Sequence, residues 1–186
     1  PKDVHDRYRM GKAGASTFER VLVGLSYLYK EGVEYNVMAT VNRQSEGRGL
    51  EIYQFLKRAG TRFIQFMPVL EHVKDGRIVD PQEDGATIAP WSVSAEGFGR
   101  FLCDIFDHWV RHDVGKVYVN QFDAMLALWC GVQPGTCTFA ETCGGNSVIE
   151  HNGDLYPCDH FVYEKYKVGN VLETDLRTLM GSERQI

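Results

Sequence analysis

The chain has 186 residues, of which 44% are hydrophobic and 24% charged, and its 25 acidic and 20 basic side chains give a formal net charge of −5 at pH 7. This composition is typical of a folded protein with a substantial core and excludes a mainly disordered chain. The sequence has no block of Lys and Arg that would bind nucleic acid or a charged membrane surface, and no apolar run approaching the roughly 20 residues that span a bilayer. We therefore expect neither nucleic acid nor membrane as a partner.

The first third of the chain alternates between helical and extended patterns. A capping box formed by Ser16 and Glu19 predicts the start of the first helix, and Gly32 and Gly60 are typical helix stops. The elements predicted in chain order are a helix over 16–32, a strand over 35–41, a helix over 49–59 and a strand over 62–67. Helices and strands that alternate with short links predict a parallel α/β sheet.

The stretch 68–90 is rich in Pro, Gly and Asp and is long for a connection in a compact domain, which predicts a functional loop or a crossing over the sheet end. The elements predicted next are a long amphipathic helix over 94–112 with Cys103 in the core, a strand over 116–119 and a short helix over 123–128. The periodic apolar pattern stops after Gly131. We therefore predict a first domain over 1–130 and a second over 131–186.

A β-hairpin is predicted in the second domain. Asn152-Gly153 is a strong hairpin signal, because both positions of a type I′ turn require a positive φ. A two-residue turn centred on this pair places Ile149 opposite Tyr156. The hairpin would then carry Cys158 back toward Cys143.

Three of the five cysteines fall in this loop and hairpin: Cys137, Cys143 and Cys158. Thiolates that converge in this way suit a soft metal ion or an iron-sulfur cluster. The spacing also fits buried free thiols, a disulfide, or zinc, whose closed structural sites need a fourth ligand. The candidates nearby for that ligand are Cys130, His151 and His160. An odd number of cysteines does not fit a disulfide framework, which favours a cytoplasmic protein.

These residues resemble a known family. The spacing Cys143-x9-Gly153-x4-Cys158, with Tyr156-Pro157-Cys158-Asp159 and Val168-Gly169-Asn170-Val171, is similar to the opening of a SPASM domain, the auxiliary-cluster module of a group of radical SAM enzymes. Within that group the chain most resembles the anaerobic sulfatase-maturating enzymes. Weaker matches occur upstream in the same order, at Val4-His5, Arg9, Gly14 to Phe18, Phe63 to Phe66 and Phe122-Asp123.

The resemblance implies an α/β fold, namely the second half of a partial (β/α) radical SAM barrel followed by a truncated SPASM module that contains the hairpin. The Cys-x3-Cys-x2-Cys loop that binds the catalytic cluster in radical SAM enzymes does not occur in this sequence, and neither does a Gly-Gly-Glu segment for the SAM amino group. We therefore expect an internal fragment of a longer enzyme. By itself it would be inactive, and after purification in air it would carry no intact cluster.

The resemblance also implies roles for single residues. The residues that fall where the family ligates its first auxiliary [4Fe-4S] cluster are Cys137, Cys143 and Cys158, with the fourth ligand expected beyond Ile186. Asp159 falls at the family's proposed general base, a role that suits a carboxylate in a poorly solvated cleft beside a cluster. Arg9 resembles a residue that contacts the SAM carboxylate, and Leu70 one that packs on the SAM adenine.

The function implied for the parent enzyme is the oxidation of a sulfatase active-site Cys or Ser to Cα-formylglycine. In the family's chemistry a 5′-deoxyadenosyl radical removes a hydrogen from the substrate Cβ, Asp159 accepts a proton, and the remaining electron leaves through the auxiliary clusters. The implied cofactors are S-adenosylmethionine and [4Fe-4S] clusters, and the implied partners are an unfolded sulfatase segment and an electron donor. Two alternatives stay open: another peptide-modifying SPASM enzyme, and a non-catalytic domain whose thiols hold zinc or no metal.

Overall fold

Residues 1–141 and 146–183 are described by the computed structural model. They divide between two units, which we describe separately. The first unit comprises Pro1–Pro81 and Gly85–Leu126, and the second comprises Gln82–Asp84 and the described residues from Ala127 onward. The boundary predicted between residues 130 and 131 falls inside the second unit and stays a prediction. Within the described ranges, no helix has the length and apolar character that crossing a membrane would require.

A parallel sheet of three strands is the framework of the first unit. Its strands, paired in this order, are β1 (Asn36–Val41), β2 (Phe63–Pro68) and β6 (Tyr118–Val119). Phe63 of the middle strand lies opposite Asn36 on one side and Tyr118 on the other. Because side chains alternate along a strand, Ile64 and Phe66 of β2 point to the same face, and both are fully buried. The predicted parallel sheet is therefore present.

Five of the described helices begin in the first unit: α1 (Lys2–Asp6), α2 (Phe18–Lys30), α3 (Gly49–Arg58), α4 (Ala95–His112) and α5 (Asn120–Trp129). The capping box predicted for α2 is absent. Thr17 is the N-cap and its side chain makes no capping bond. The Ser16 hydroxyl instead donates to Asp6 at 2.6 Å and accepts from the Phe18 N–H at 3.3 Å. A contact with α1 thus replaces the local cap.

The core of the first unit lies between α3, α4 and the sheet. Its fully buried side chains include Tyr53 from α3, Phe66 from β2, and Phe101 and Ile105 from α4. Burial of such side chains contributes roughly 1.5–3 kcal/mol each. Cys103 was predicted in this core but is exposed. The prediction was wrong because Cys103 lies two residues from Phe101, about 200° around the helix, and so on the opposite face.

The stretch 68–90 contains a small antiparallel sheet that was not predicted. Its strands are β3 (His72–Lys74), β4 (Arg77–Val79) and β5 (Thr87–Ile88), in the order β4-β3-β5. Asp75 and Gly76, which connect β3 and β4, have φ values of +49° and +75°. Positive φ at both positions is the requirement of a type I′ turn. The Asp-Gly pair was therefore the sequence signal for this hairpin. The short strands were not predicted because the Pro and Gly residues around them are typical of a loop.

The second unit has its own antiparallel sheet, with the strands β7 (Val148–Ile149), β8 (Asp154–Tyr156) and β9 (Gly169–Asn170) in that order. It also contains the helix α6 (Leu176–Met180) and three 3₁₀ turns, at Cys137–Phe139, Asp159–Phe161 and Glu164–Tyr166. A small core forms where Leu155, Val168 and Leu179 pack together. Because this core is small, polar contacts carry much of the organisation of this unit.

The close approach of α3 to α4 depends on a glycine. A Cβ atom on Gly49 would lie 2.5 Å from the carbonyl oxygen of Phe101, which belongs to the backbone and cannot rotate away. We expect Gly49→Ala to lower the free energy of unfolding by about 1–3 kcal/mol. Gly99→Ala in α4 is the control, because no atom lies within 4 Å of its Cβ position and alanine favours helix. Urea titration should show no loss of stability for Gly99→Ala, and equal stabilities of the two variants would contradict the prediction.

A buried carboxylate links α3 to the end of α4. Asp113, the C-cap of α4, has a side chain only 4% exposed and accepts hydrogen bonds from the Tyr53 hydroxyl at 2.7 Å and from Lys57 Nζ at 2.6 Å. Burial by itself raises the pKa of Asp113, but the bonds from Lys57 and Tyr53 outweigh it, and the pKa lies below its ordinary value. Burial and the same carboxylate raise the pKa of Tyr53.

Asp113→Asn is expected to lower the free energy of unfolding at pH 7 by about 1.5–2 kcal/mol. This is the lower part of the range for a charged hydrogen bond, because Lys57 is 39% exposed and its charge is partly screened. The folded-state pKa of Asp113 is lowered, so its contribution is complete above the unfolded pKa of about 3.9 and is lost as the pH falls through the folded value. Urea titrations from pH 7 into acid should therefore show the two proteins converging. Asp104→Asn, on the exposed face of α4, should match the unchanged protein throughout.

Candidate functional site

The hairpin that precedes Cys158 has a different register from the predicted one. Ile149 pairs with Leu155 and not with Tyr156. The loop has three residues, because the Glu150 N–H donates to the Asp154 carbonyl at 2.8 Å. The prediction of a two-residue turn was wrong by one residue. Because side chains alternate along a strand, a shift of one residue places the side chains of the opposite face of β8 next to those of β7.

The three-residue loop is stabilised by Asn152 and Gly153. Gly153 has a φ of +88° and its N–H donates to the Glu150 carbonyl at 2.9 Å. The Asn152 side chain accepts from the Asp154 N–H at 3.1 Å and donates to the Asp154 carboxylate at 2.8 Å. A glycine with positive φ at the last loop position is common in three-residue hairpins. The Asn-Gly pair therefore does mark the turn, but with one residue more than the sequence suggested.

Asp154 connects the hairpin to the strand that follows it. This buried carboxylate accepts from Lys167 Nζ at 2.6 Å and from Asn170 Nδ2 at 2.9 Å. Hydrogen bonds from Lys167 first, and then from Asn170, hold the pKa of Asp154 below its ordinary value, and the Asp154 carboxylate raises the pKa of Lys167. The segment that leads to Cys158 is thus anchored by a charged hydrogen-bond network and not only by the small core.

Gly153→Ala tests this turn. An added Cβ would lie 2.8 Å from Asn170 Oδ1, and the positive φ by itself costs a non-glycine residue roughly 1–2 kcal/mol. We expect a loss of at least that size in the free energy of unfolding of the second unit, measured by hydrogen exchange of the β8 amides. Gly135→Ala is the matched control in the same unit, because no atom lies within 4 Å of its Cβ position. If the β8 amides of Gly153→Ala exchange as slowly as those of the unchanged chain, this account of the turn is wrong.

Cys158, Asp159 and His160 bring three donor atoms together directly after β8. The Cys158 thiol donates to Asp159 Oδ1 at 3.2 Å, and His160 Nδ1 lies 3.5 Å from Cys158 Sγ and 3.1 Å from Asp159 Oδ1. The Cys158 side chain is also the cap of the 3₁₀ turn that starts at Asp159, because it accepts from the His160 N–H at 3.5 Å. Cys158 and Asp159 were predicted from the sequence as functional residues, whereas His160 was predicted only as an alternative zinc ligand.

Asp159 is negatively charged at neutral pH in this arrangement. The hydrogen bond from Cys158 is the main reason why its pKa is lowered, the charge of His160 acts in the same direction, and burial opposes both. The side chain is 69% exposed, whereas the family resemblance implies a poorly solvated cleft. Asp159 is therefore able to accept a proton, although the described residues leave it open to water.

The other predicted cluster ligands are partly described. Cys137 opens the 3₁₀ turn Cys137–Phe139 and is a half-buried free thiol in the same unit as Cys158. Cys143 lies outside the described residues. Cys130 is an exposed free thiol. Two half-buried sulfur donors fit the soft ligands that the iron of an iron-sulfur cluster requires, and the roles of all three predicted cysteines stay predictions.

The first unit contains a cavity of about 430 Å³, within the size range of small-molecule sites. Apolar residues of α2, β1 and α3 form most of its wall, and its polar lining residues are His5, Tyr8, Arg9, Thr17, Thr40 and Asn42. Arg9 is exposed at the edge of this cavity, where its carbonyl accepts from the Thr17 hydroxyl. Leu70 is 61% exposed and does not belong to the lining. The structure thus places Arg9, but not Leu70, at this cavity.

Known proteins resemble this chain, both in its cysteine segment and over its whole length. Residues 137–186, which contain the cysteine segment, match the SPASM family, an iron-sulfur cluster-binding domain. All of the chain is 45% identical to a serine-type anaerobic sulfatase-maturating enzyme of Bacteroides thetaiotaomicron, and it covers 46% of that protein. Over 97% of its length the chain is 31% identical to a cysteine-type anaerobic sulfatase-maturating enzyme of Clostridium novyi, and it covers 46% of that protein.

Solved structures agree with the sequence matches. Native anSMEcpe with bound AdoMet and Cp18Cys peptide matches all of the chain with a TM-score of 0.81 and 26% identity over 49% of that structure's chain. Histidine-tagged anSMEcpe with bound AdoMet matches the chain with a TM-score of 0.79 and 25% identity, over 47% of that structure's chain. The chain spans about half the length of the curated relatives that it matches. Residues 137–186 thus match a SPASM domain, and the chain as a whole is similar to anaerobic sulfatase-maturating enzymes, which confirms the resemblance inferred from its sequence.

Proposed function

We propose that the chain is part of a radical SAM enzyme that oxidises an active-site Cys or Ser of a sulfatase to Cα-formylglycine. The observation that carries this proposal is the contact between Cys158 Sγ and Asp159 Oδ1, 3.2 Å apart in the segment that matches an iron-sulfur domain. It places a sulfur ligand for a cluster beside a carboxylate that can accept a proton. As a cluster ligand the sulfur is a thiolate, so its hydrogen bond to Asp159 belongs to the cluster-free state. The similarity to both serine-type and cysteine-type relatives supports the same chemistry.

In this proposal Cys137, Cys143 and Cys158 ligate the first auxiliary [4Fe-4S] cluster, and a residue outside this chain supplies the fourth ligand. When bound, SAM and the clusters supply the radical chemistry and an outlet for the electrons. This chain contributes the proton acceptor, because Asp159 Oδ1 takes the proton of the substrate thiol or hydroxyl. The sheet β1-β2-β6 with its helices forms the second half of a partial barrel, and the hairpin opens the SPASM module.

The cavity of the first unit supports a contact of Arg9 with SAM. The guanidinium of Arg9 would bind the carboxylate of SAM at the cavity edge, since a guanidinium can donate two parallel hydrogen bonds to a carboxylate. Leu70, which does not line this cavity, would pack on the adenine. The remaining partners are an unfolded sulfatase segment and an electron donor, and the predicted site of action is the cytoplasm. The chain alone would be inactive, because it lacks the cysteine triplet for the catalytic cluster.

The whole protein that contains this chain provides the test. It should be reconstituted anaerobically with iron and sulfide and incubated with SAM, a reductant and two sulfatase peptides that differ only in Cys or Ser at the target position. Mass spectrometry is expected to detect an aldehyde at that position in at least one peptide. If 5′-deoxyadenosine is formed while the peptides gain a thioether or carbon–carbon cross-link, the chain belongs to another peptide-modifying SPASM enzyme.

A further inference from the structure

Three consecutive side chains after β8 face one point. Along a regular strand neighbouring side chains point to opposite faces, but here Cys158 has extended backbone angles, φ −163° and ψ 153°, and the chain then enters the 3₁₀ turn Asp159–Phe161. This change of conformation turns the side chains of Asp159 and His160 toward the Cys158 sulfur. The three donor atoms all lie within 4.8 Å of one another.

The separations of these atoms match those around a tetrahedral metal ion. With zinc bonds of about 2.3 Å to sulfur and about 2.0–2.2 Å to nitrogen and oxygen, the donors of one ion lie about 3.3–3.6 Å apart. The separations here are 3.5 Å from sulfur to nitrogen, 3.2 Å from sulfur to oxygen and 3.1 Å from nitrogen to oxygen. A shift of a few tenths of an ångström would place all three donors in zinc geometry.

The donor set and its accessibility also fit zinc. Sulfur, imidazole nitrogen and carboxylate oxygen are the three kinds of protein ligand that zinc accepts, and an iron-sulfur cluster prefers sulfur alone. The side chains of Asp159 and His160 are 69% and 58% exposed, so an ion can reach them without unfolding of the hairpin. Among the described residues, these three donors leave the fourth coordination position open to water.

We propose that Cys158, Asp159 and His160 bind one Zn²⁺ ion when the auxiliary cluster is absent, so that zinc and cluster assembly compete for Cys158. The second part rests on the proposed function, whereas the zinc site itself does not. Binding replaces the thiol proton by a zinc–sulfur bond and releases that proton, without any redox change. A bound ion would also occupy Asp159, the proposed proton acceptor, and would hold the protein inactive until zinc is removed.

Zinc titration of the reduced, metal-free chain tests the site, with a chromophoric chelator as the competitor. One ion is expected per chain, and Co²⁺ in its place should give a sulfur-to-metal charge-transfer band. Cys158→Ser and His160→Ala should each weaken binding by about tenfold or more, because loss even of an outer-shell partner costs 10–100-fold. Cys103→Ser should bind as the unchanged chain does, because this exposed thiol of α4 has no proposed ligand role. An unchanged affinity of His160→Ala, or an equal loss in Cys103→Ser and Cys158→Ser, would overturn the proposal.

Competition is measured on the whole protein. Prior addition of one equivalent of Zn²⁺ is expected to reduce the iron and sulfide taken up on anaerobic reconstitution, and His160→Ala should take up the full amount in the presence of zinc. Equal inhibition of both proteins would exclude competition through this site. If zinc binds through His160 but Cys158→Ser has no effect on the iron content, the zinc site stands and the proposed cluster ligation fails.

Discussion

Cys158→Ser is expected to remove one cluster from the reconstituted whole protein, a loss of about four iron and four sulfide ions per chain. Serine keeps the size of the side chain but offers a hard oxygen where the cluster iron requires a soft thiolate. The surroundings of Cys158 are also well anchored, since β8 before it is tied to β9 through Asp154. Iron and sulfide analysis and the visible absorption spectrum measure the loss.

Cys103→Ser is the matched control for this experiment. Cys103 is an exposed thiol of α4, in the first unit, and has no proposed ligand role. Its variant should keep the full iron and sulfide content after identical reconstitution. A Cys158→Ser protein that retains as much cluster as Cys103→Ser would show that Cys158 is not a ligand, and would remove the main support for the proposed function.

Asp159→Asn is expected to lower the rate of formylglycine formation by about 10²-fold or more, the usual size of a general-base contribution. The amide keeps the volume of the carboxylate but cannot accept the proton of the substrate. Asp159 is exposed, so the exchange should leave the folding of the second unit intact. Iron content and binding of SAM should remain at the level of the unchanged protein.

The pattern of products separates a catalytic role of Asp159 from a structural one. The variant is expected to form 5′-deoxyadenosine from SAM while little aldehyde appears in the peptide, whereas a misfolded protein would lose both. Asp104→Asn, an exposed change on α4, serves as the charge control and should react at the full rate. If Asp159→Asn reacts at the full rate, a group other than Asp159 accepts the proton of the substrate.

Local patterns predicted the first unit well because its elements are long enough to show their period. The bounds of β1, α3 and α4 differ from the predicted ones by one residue at most, and β2 is displaced by one residue. The short strands β3 to β5 were missed, because two or three residues are too few to show an alternation. The helical period predicted the buried face of α4, but Cys103 was assigned to the core from its residue type, although it lies on the opposite face.

The sequence by itself determined the alternation of helices and strands, the position of the cysteine segment and its resemblance to an auxiliary-cluster domain. Those features depend on residues that are neighbours in the chain. Only the tertiary structure decided the hairpin register, which Asn170 and Lys167 fix from 13 to 16 positions away through Asp154. It also decided the pairing of Asp113 with residues 56 and 60 positions away. Such contacts depend on how the chain packs in space, which no local spacing records.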